Sequence, residues 1–534
     1  MLKRLSYFVG ALALGVFSCA KKGMPTGGPK DEVAPKMMLT QPANASVEFK
    51  GNQFKLFFDE NITFKDLEKQ LIVSPPLRNK LSVMPMTGMA KKMAVITIND
   101  TLQPNTTYSF NFGKSIVDAT EANPLSDFKY LFSTGKYLDS LKLSGFVRDA
   151  ELKKTEFPVS VFLYEADSTY NDSVVYNKNP RYVAITQDSL GTFSFENIKQ
   201  GKYRMVAIKD KNENYRFDIA KEKIGFYTQP ISVPNDTIYR VDVFKQIPDF
   251  KPNKPIQSFG NQMLLGYKGN PKNVKVSIKN GTEEIPSVIT YFPKKDSLQV
   301  WYKPLKADSL AIKIEKDSFV KEFYVKVKEK KSDSLAISVI NSGTLHFREH
   351  FALKLNTPLE SLDVKKMKLI DADSTLVSFK TNYIPLERKI EILFKKEPAT
   401  KYVFKVEAHA IQDWFGTNNA KALQYNLETK ELTEYGNLKV NIQNAKRFPI
   451  LLQLTNEKGE ILAEQSVLKN QSVLFEGLLP SMYQMRAVYD DNANQIWDTG
   501  NYLKKVQPEE IVYFPKALDV RMNWDIDQNF DLSK

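Results

Sequence analysis

Residues 195–218 read FENIKQGKYRMVAIKDKNENYRFD, and residues 475–498 read FEGLLPSMYQMRAVYDDNANQIWD. In each stretch a Phe-Glu pair is followed, eight residues after the Phe, by a Tyr (Phe195 to Tyr203, Phe475 to Tyr483), and seven residues later by an Asp. That Asp opens the pattern D-x-N-x-N-x-x-x-D. Asp210, Asn212, Asn214 and Asp218 carry it in the first copy, and Asp490, Asn492, Asn494 and Asp498 in the second. An aromatic residue precedes each closing Asp, Phe217 and Trp497. Matches at one spacing, 280 residues apart, mark a duplicated structural unit.

A second duplication is independent of the first. Phe54-Lys-Leu-Phe-Phe is answered by Phe351-Ala-Leu-Lys-Leu, and P-x-T-x-Y-x-F occurs as Pro104–Phe110 and again as Pro398–Phe404. Downstream, Ile116-Val-Asp118 is answered by Ile411-Gln-Asp413. Short runs of alternating apolar and polar residues separated by turn residues predict antiparallel β-sandwiches. Between the duplicated pairs, VKVSI (274–278), LQVWY (298–302), LAIKI (310–314) and FYVKVK (323–328) predict a further small β domain with no partner repeat. The expected fold class is therefore all-β, with tandem β-sandwich domains in a row. The divisions are a leader at 1–18, a flexible tether at 19–33, then domains at 34–137, 138–249, 250–335, 336–432 and 433–534.

Composition agrees with that layout. A chain of 534 residues exceeds what one core organises, and 42% hydrophobic residues, with 34 Phe and 24 Tyr, suffice for several cores. The formal net charge of +13 would favour an anionic surface. However, segments such as KVKEKKSDS (325–333) mix both signs, and no Arg-rich block with interleaved aromatics occurs, so nucleic acid is not an expected partner.

The single cysteine, Cys19, carries the address. Lys3 and Arg4 precede an eleven-residue apolar run, YFVGALALGVF (7–17), and Ser18 stands immediately before Cys19. A charged start, a short apolar stretch and a small residue describe a secretory signal peptide, and the run is too short to span a bilayer comfortably. The Val16-Phe17-Ser18-Cys19 sequence resembles a bacterial lipobox, which implies diacylation of the Cys19 thiol and a new N-terminus there. No second cysteine exists to form a disulfide, so stability must come from packing or from bound ions.

Residues 34–137 and 336–432 resemble the bacterial Ig-like domains of S-layer proteins. The resemblance rests on the F-x-L-x-F strand, the P-x-T-x-Y-x-F strand and the closing FSTG at Phe132–Gly135. Residues 138–249 and 433–534 resemble the small transthyretin-like, or carboxypeptidase-regulatory-like, sandwich. Its marks are Gly145, G-x-F-x-F at Gly191–Phe195, and Gly201-x-Tyr203; the second copy lacks the Gly before its Phe strand and has Ser481 in place of Gly201. The arrangement, with TGGPKD following Cys19, is similar to exported lipoproteins of the Bacteroidetes group. That resemblance implies lipid anchoring at the outer membrane, on its periplasmic face or at the cell surface.

Three constellations bear on chemistry. In the two D-x-N-x-N-x-x-x-D loops, alternate oxygens of Asp and Asn suit a hard cation such as calcium. Neither loop is an EF-hand, because position six holds Tyr215 or Gln495 and position twelve holds Lys221 or Asn501. The competing reading is a hairpin in which Asp and Asn cap their own backbone. His346-Phe-Arg-Glu349-His350 fits the inverted zinc-protease pattern, but its flanks read as strands, and residues four apart on a strand lie about 13 Å apart. Trp301, Trp414 and Trp524 would stack on sugars if exposed; core filling is the preferred reading.

No nucleophile elbow, Walker loop or dinucleotide fingerprint appears. The expected function is a non-catalytic envelope lipoprotein, a β rod for binding, adhesion or scaffolding. The alternatives are glycan or peptide capture, or a hydrolase with an inter-domain site. Expected partners are the membrane, through the lipid, and a protein or glycan of the envelope or of a neighbouring surface. The oligomeric state is open.

Overall fold

The computed structural model describes residues 30–534 except residue 87 and residues 187–188, 293–294, 331–333 and 534. The leader and Cys19 lie outside the described residues. Strands dominate, and the only helices among the described residues are turns of three or four residues. No helix among them is long and apolar enough to cross a membrane.

The strands gather into five groups, and among the described residues no strand ladder joins one group to another. The Gln53–Phe64 strand shows why. Its even positions, Phe54, Leu56 and Phe58, are buried, while intervening residues face outward or are half-covered, so one face is committed to a core. It pairs with Met37–Gln41 on one side and Lys91–Thr97 on the other, with Ser82–Met84 outermost. The opposing sheet is Ile72–Ser74, Thr107–Asn111 and Lys129–Ser133. Phe54, Phe110, Tyr130 and Phe132 meet between the layers.

The strands between 337 and 428 repeat this layout. Ile337–Val339, Phe351–Leu355, Lys389–Phe394 and Phe379–Ile384 form one sheet in the corresponding order. The long strand of the first copy has a register shift between Phe57 and Ile62; the second copy is broken there into Phe351–Leu355 and Leu359–Leu362.

Both P-x-T-x-Y-x-F motifs build the same corner. Tyr108 Oη accepts from the Gln103 amide at 2.9 Å, and Tyr402 Oη accepts from the Glu397 amide at 2.8 Å. Thr106 donates to the Pro104 carbonyl and Thr400 to the Pro398 carbonyl, at 2.9 and 2.7 Å. Thr134 and Thr429, from the closing strands, accept from the amides of Thr106 and Thr400, both at 3.0 Å. The motif is thus a set of side chains that satisfy backbone groups where a strand enters the sheet.

The strands between 141 and 243 and those between 436 and 531 form a second pair of copies that match equally well. In the first, Leu141–Asp149 lies between Thr192–Ile198 and a parallel Ile238–Val243; in the second, Gly436–Gln443 lies between Ser472–Leu478 and a parallel Asp525–Asp531. The facing sheets, centred on Ser160–Glu165 with Gly201–Ile208 and on Ile450–Thr455 with Ser481–Tyr489, have the same order. Gly145 pairs with Phe193, whose ring lies 2.6 Å from where a Cβ would stand. The second copy pairs Val440 with Val473 there, and exchanges one large and one empty position for two of middle size. Gly201 has no left-handed backbone angle, so Ser481 is accommodated at the start of the equivalent strand.

The remaining group, between 251 and 326, is a sandwich of two sheets with its own core around Met263, Val300, Ile312 and Ile314.

The row of domains does not stay extended, which corrects the expected rod. The copy at 436–531 packs back on the copy at 141–243. Tyr502 is 1% exposed and lies in a cluster with Phe226 and Phe244 of the first copy. The physical reason is an insertion in the second copy, described next.

Candidate functional site

The repeated loops follow the Gly201–Ile208 and Ser481–Tyr489 strands, and each is closed on itself by its own polar groups. Asp210 Oδ1 and Oδ2 accept from the amides of Asn214 and Tyr215 at 3.2 and 2.8 Å. Asp490 does the same for Asn494 and Gln495 at 3.0 and 2.9 Å. Asn214 and Asn494 each accept from the amide two residues on, Arg216 and Ile496, both at 2.9 Å. Asp218 accepts from the Ala220 amide. In the second copy the Nδ2 groups of Asn492 and Asn494 both donate to Asp498 Oδ2. Tyr215 and Gln495 hold the left-handed backbone, φ 58° and 65°, that the turn requires at its sixth position.

Each loop also has a carboxylate that the spacing did not reveal. Glu222 is fully buried and Glu509 is 8% exposed. Glu222 accepts from the amides of Lys211 and Asp218 at 3.0 and 2.8 Å, and Glu509 accepts from those of Asp491 and Asp498 at 2.8 and 2.9 Å. Both therefore clamp the first and last turns of the loop together. Burial raises the Glu509 carboxyl above its usual range; the amide bonds from Asp498 and Asp491 oppose this, and the charges of Asp498 and Asp490 add to it. The signal was present, because Glu222 and Glu509 each stand two residues before an Ile that opens a strand, Ile224 and Ile511. Glu222 follows Asp218 by four residues and Glu509 follows Asp498 by eleven, so a seven-residue insertion hides the correspondence.

A calcium cage needs oxygens free to converge on one point. Here the Asp210 and Asp490 carboxylates each accept two backbone amides of their own loop. The arrangement fits a self-capped turn.

The insertion is the part with a reach beyond its own domain. Asn501 and Val506 exchange backbone hydrogen bonds at 2.8 and 3.0 Å and close a tight hairpin. Its Tyr502 ring packs edge-on against Phe226 at 5.4 Å, and its hydroxyl shares a 3.0 Å hydrogen bond with Tyr170. The Tyr502 amide donates to Gln246 at 3.0 Å, Thr499 donates to the Lys245 carbonyl at 2.7 Å, and Lys505 pairs with Asp172. Burial drives the Tyr502 phenol upward and pushes that of Tyr170 up to about 12. A second contact flanks the hairpin. Arg486 and Tyr513 both donate to the Glu151 carbonyl, and Lys153 reaches the carbonyls of Phe514 and Pro515 at 2.9 and 2.8 Å.

Other junctions are also built from buried side chains. Arg388 is 5% exposed, donates to Thr290, Gln299 and the Leu355 carbonyl, and lies over the Trp301 ring at 5.6 Å. His346 Nδ1 lies 3.0 Å from Tyr435 Oη, and Arg348 donates to the Glu476 carbonyl.

His346 and Glu349 belong to a turn between strands, with the Glu349 amide bonded to the His346 carbonyl, so the H-x-x-E-H pattern is not on a helix. Trp301 is core, as expected, and donates to Thr290 at 2.8 Å. Trp414 is half-buried under Lys303. Trp524 corrects the core-filling expectation: it is 51% exposed, stacks with Arg521, and borders a shallow groove with Met482 and Met522.

The fold and this geometry define a tandem β-sandwich protein whose duplicated units interlock. Within it, residues 31–134 match the bacterial Ig-like domain family. No curated protein matches the chain. Among solved structures it is similar to domains 1–6 of the surface-layer protein SbsC, at 11% identity over 91% of this chain and 67% of that one, with a TM-score of 0.17. It is also similar to a three-Ig fragment of titin (12% identity, 53% of this chain and 99% of that one, TM-score 0.12). A third is the extracellular domains 3–5 of Drosophila OTK (9% identity, 55% and 92%, TM-score 0.14). Scores this low carry no weight here, and the fold rests on the strand ladders.

Proposed function

We propose that the protein is a non-catalytic envelope lipoprotein, anchored through Cys19 at the outer membrane, whose interlocked sandwiches form a rigid scaffold for binding. The carrying observation is the buried hairpin around Tyr502, which ties the last domain to the second and turns a flexible row into a braced frame. Domains joined only by linkers move relative to one another, whereas an apolar buried contact removes that freedom. The match of residues 31–134 to bacterial Ig-like domains and the sequence around Cys19 support the envelope address. A non-catalytic role agrees with carboxylates spent on capping turns and a His pair held in a surface turn. Calcium is not needed for this reading, because the loops are capped by their own side chains.

Growth with labelled palmitate and protease shaving of intact cells test it together. The proposal expects label on the wild type and none on Cys19→Ala; an unlabelled wild type would sink the anchor. Shaving then separates the two faces: loss of the protein favours adhesion or capture outside, and protection favours a periplasmic scaffold. Capture of a glycan or peptide is the second reading, favoured by the exposed Trp524 beside its shallow groove.

A further inference from the structure

A cleft of about 880 Å³ lies where the first Ig-like domain meets the first transthyretin-like domain. Ligand pockets fall in this size range and favour such inter-domain positions. Pro75–Arg78 form one wall, Asn177–Arg181 the other, and the first repeated loop supplies the rim from Glu213 to Arg216. The walls are held in register. Arg181 bonds Gln103 and Thr106 across the junction, and the Val183 amide donates to Ser74 at 3.2 Å.

Two features of this cleft are not explained by folding. Tyr164 lines it at 5% exposure, and its hydroxyl is buried with no hydrogen-bond partner, an arrangement that costs stability unless a ligand supplies the partner. The second is charge. Glu165 is paired with Arg181 at 3.5 Å, and Asp167 is spent on the amide and hydroxyl of Thr169 at 2.8 and 2.7 Å. Arg78, Lys178 and Arg216 make no ion pair among the described residues, Lys178 faces Asp167 at longer range, and the lining sets Arg78, Lys178, Arg181 and Arg216 against Glu165, Asp167 and Glu213, four cations to three anions. The surplus is cationic.

The remaining lining is amide, hydroxyl and proline, with Asn177, Asn179 and Thr169 between Pro76 and Pro180. Side-chain amides and phenols meet hydroxyl groups, proline rings present apolar faces to C–H surfaces, and guanidinium groups grip carboxylates in a planar, two-pronged fashion. The geometry points to a binding site for an acidic oligosaccharide, one bearing carboxylates on a polyhydroxylated chain. This deepens the glycan-capture reading and is independent of the anchor; the hairpin borders the site, because Tyr170 of the lining bonds Tyr502 and Tyr164 shares its cluster.

The test is calorimetric titration of the purified chain with a galacturonic acid trimer, its methyl ester and a tetra-glutamate peptide. The acid trimer should bind, and methyl esterification should weaken binding at least tenfold. Arg78→Gln with Arg216→Gln, both exposed and therefore neutral to folding, should lose binding to a similar degree with an unchanged melt. Tyr164→Phe should weaken binding several-fold without lowering the melting temperature. No binding of the trimer, or equal binding by the double variant, overturns the site. Binding of the peptide in preference to the trimer overturns the saccharide assignment.

Discussion

The two copies at 141–243 and 436–531 share a topology, a Tyr whose hydroxyl bonds the carbonyl four residues back, and a self-capped loop clamped by a buried Glu. The second carries a seven-residue insertion that the first lacks. In the first copy the loop runs from Asp218 straight to Glu222; in the second, Asp498 and Glu509 are separated by a hairpin that enters the first copy. Duplication alone gives two similar domains with no reason to touch. A short insertion whose tip is aromatic gives one of them a socketed contact, because burying a ring and satisfying its hydroxyl favours a single docking geometry.

The largest expected effect comes from breaking that difference. Tyr502→Ala removes the ring from between Phe226 and Tyr170 and should cost about 4 kcal/mol, the usual loss for a buried aromatic. Hydrogen exchange should rise at Phe226 and Phe244 while the core around Leu452 and Met485 stays protected. Equal protection everywhere would mean that the hairpin is ornamental.

The clamps sharpen the comparison next. Glu222→Gln should cost about 3 kcal/mol and Glu509→Gln about 2 kcal/mol, since hydrogen bonds to a buried charge are worth roughly this much and Glu222 also holds the Asn212 side chain. The pH dependence of Glu509 has a definite sign. Its folded value is raised, so its ionisation opposes folding above that value, and the penalty disappears as pH falls towards the ordinary carboxylate range. Thermal melts of wild type should therefore gain on Glu509→Gln as pH drops from 7 towards about 4.5.

Asp118 should behave in the opposite way. Burial works against its charge, but four amides, Glu121, Asn123, Thr120 and Ala122, outweigh it and hold the carboxyl below its usual range. Its contribution is present above the ordinary value near 3.9 and is lost as pH falls through the depressed one. Asp118→Asn should cost about 1.5 kcal/mol at pH 7, and the difference from wild type should shrink below about pH 4. Asp413 caps the equivalent turn through the amides of Phe415 and Thr417.

The smallest effect expected is none. With Asp210 and Asp490 already engaged by amides, excess EDTA should leave the melting temperature unchanged. An EDTA-sensitive melt, abolished by Asp210→Ala with Asp490→Ala, would instead establish a calcium loop.

What could be read from the chain follows from these contacts. The all-β class, both duplications and the corner motif were legible because Phe54 alternates into a core and Tyr108, Tyr402 and Tyr203 sit at fixed spacings from the backbone groups they satisfy. Glu222 and Glu509 were not, because the insertion shifts one of them out of alignment. Tyr502 was not, because GNYLKKV (500–506) reads as a polar loop whose partner lies some 260 residues away in sequence. Trp524 looked like Trp301, and only the packing separates them.

The interlock itself is best tested by zero-length carbodiimide cross-linking of the dilute, monomeric chain with mass-spectrometric readout. Lys505 and Asp172 form an ion pair between the copies, whereas Lys446 with Glu510 and Lys439 with Asp527, each within the last domain, serve as local controls at 3.0 and 3.2 Å. The account predicts an Asp172–Lys505 link within one chain at a yield comparable to the controls. Links at both control pairs with none between Asp172 and Lys505 would contradict it.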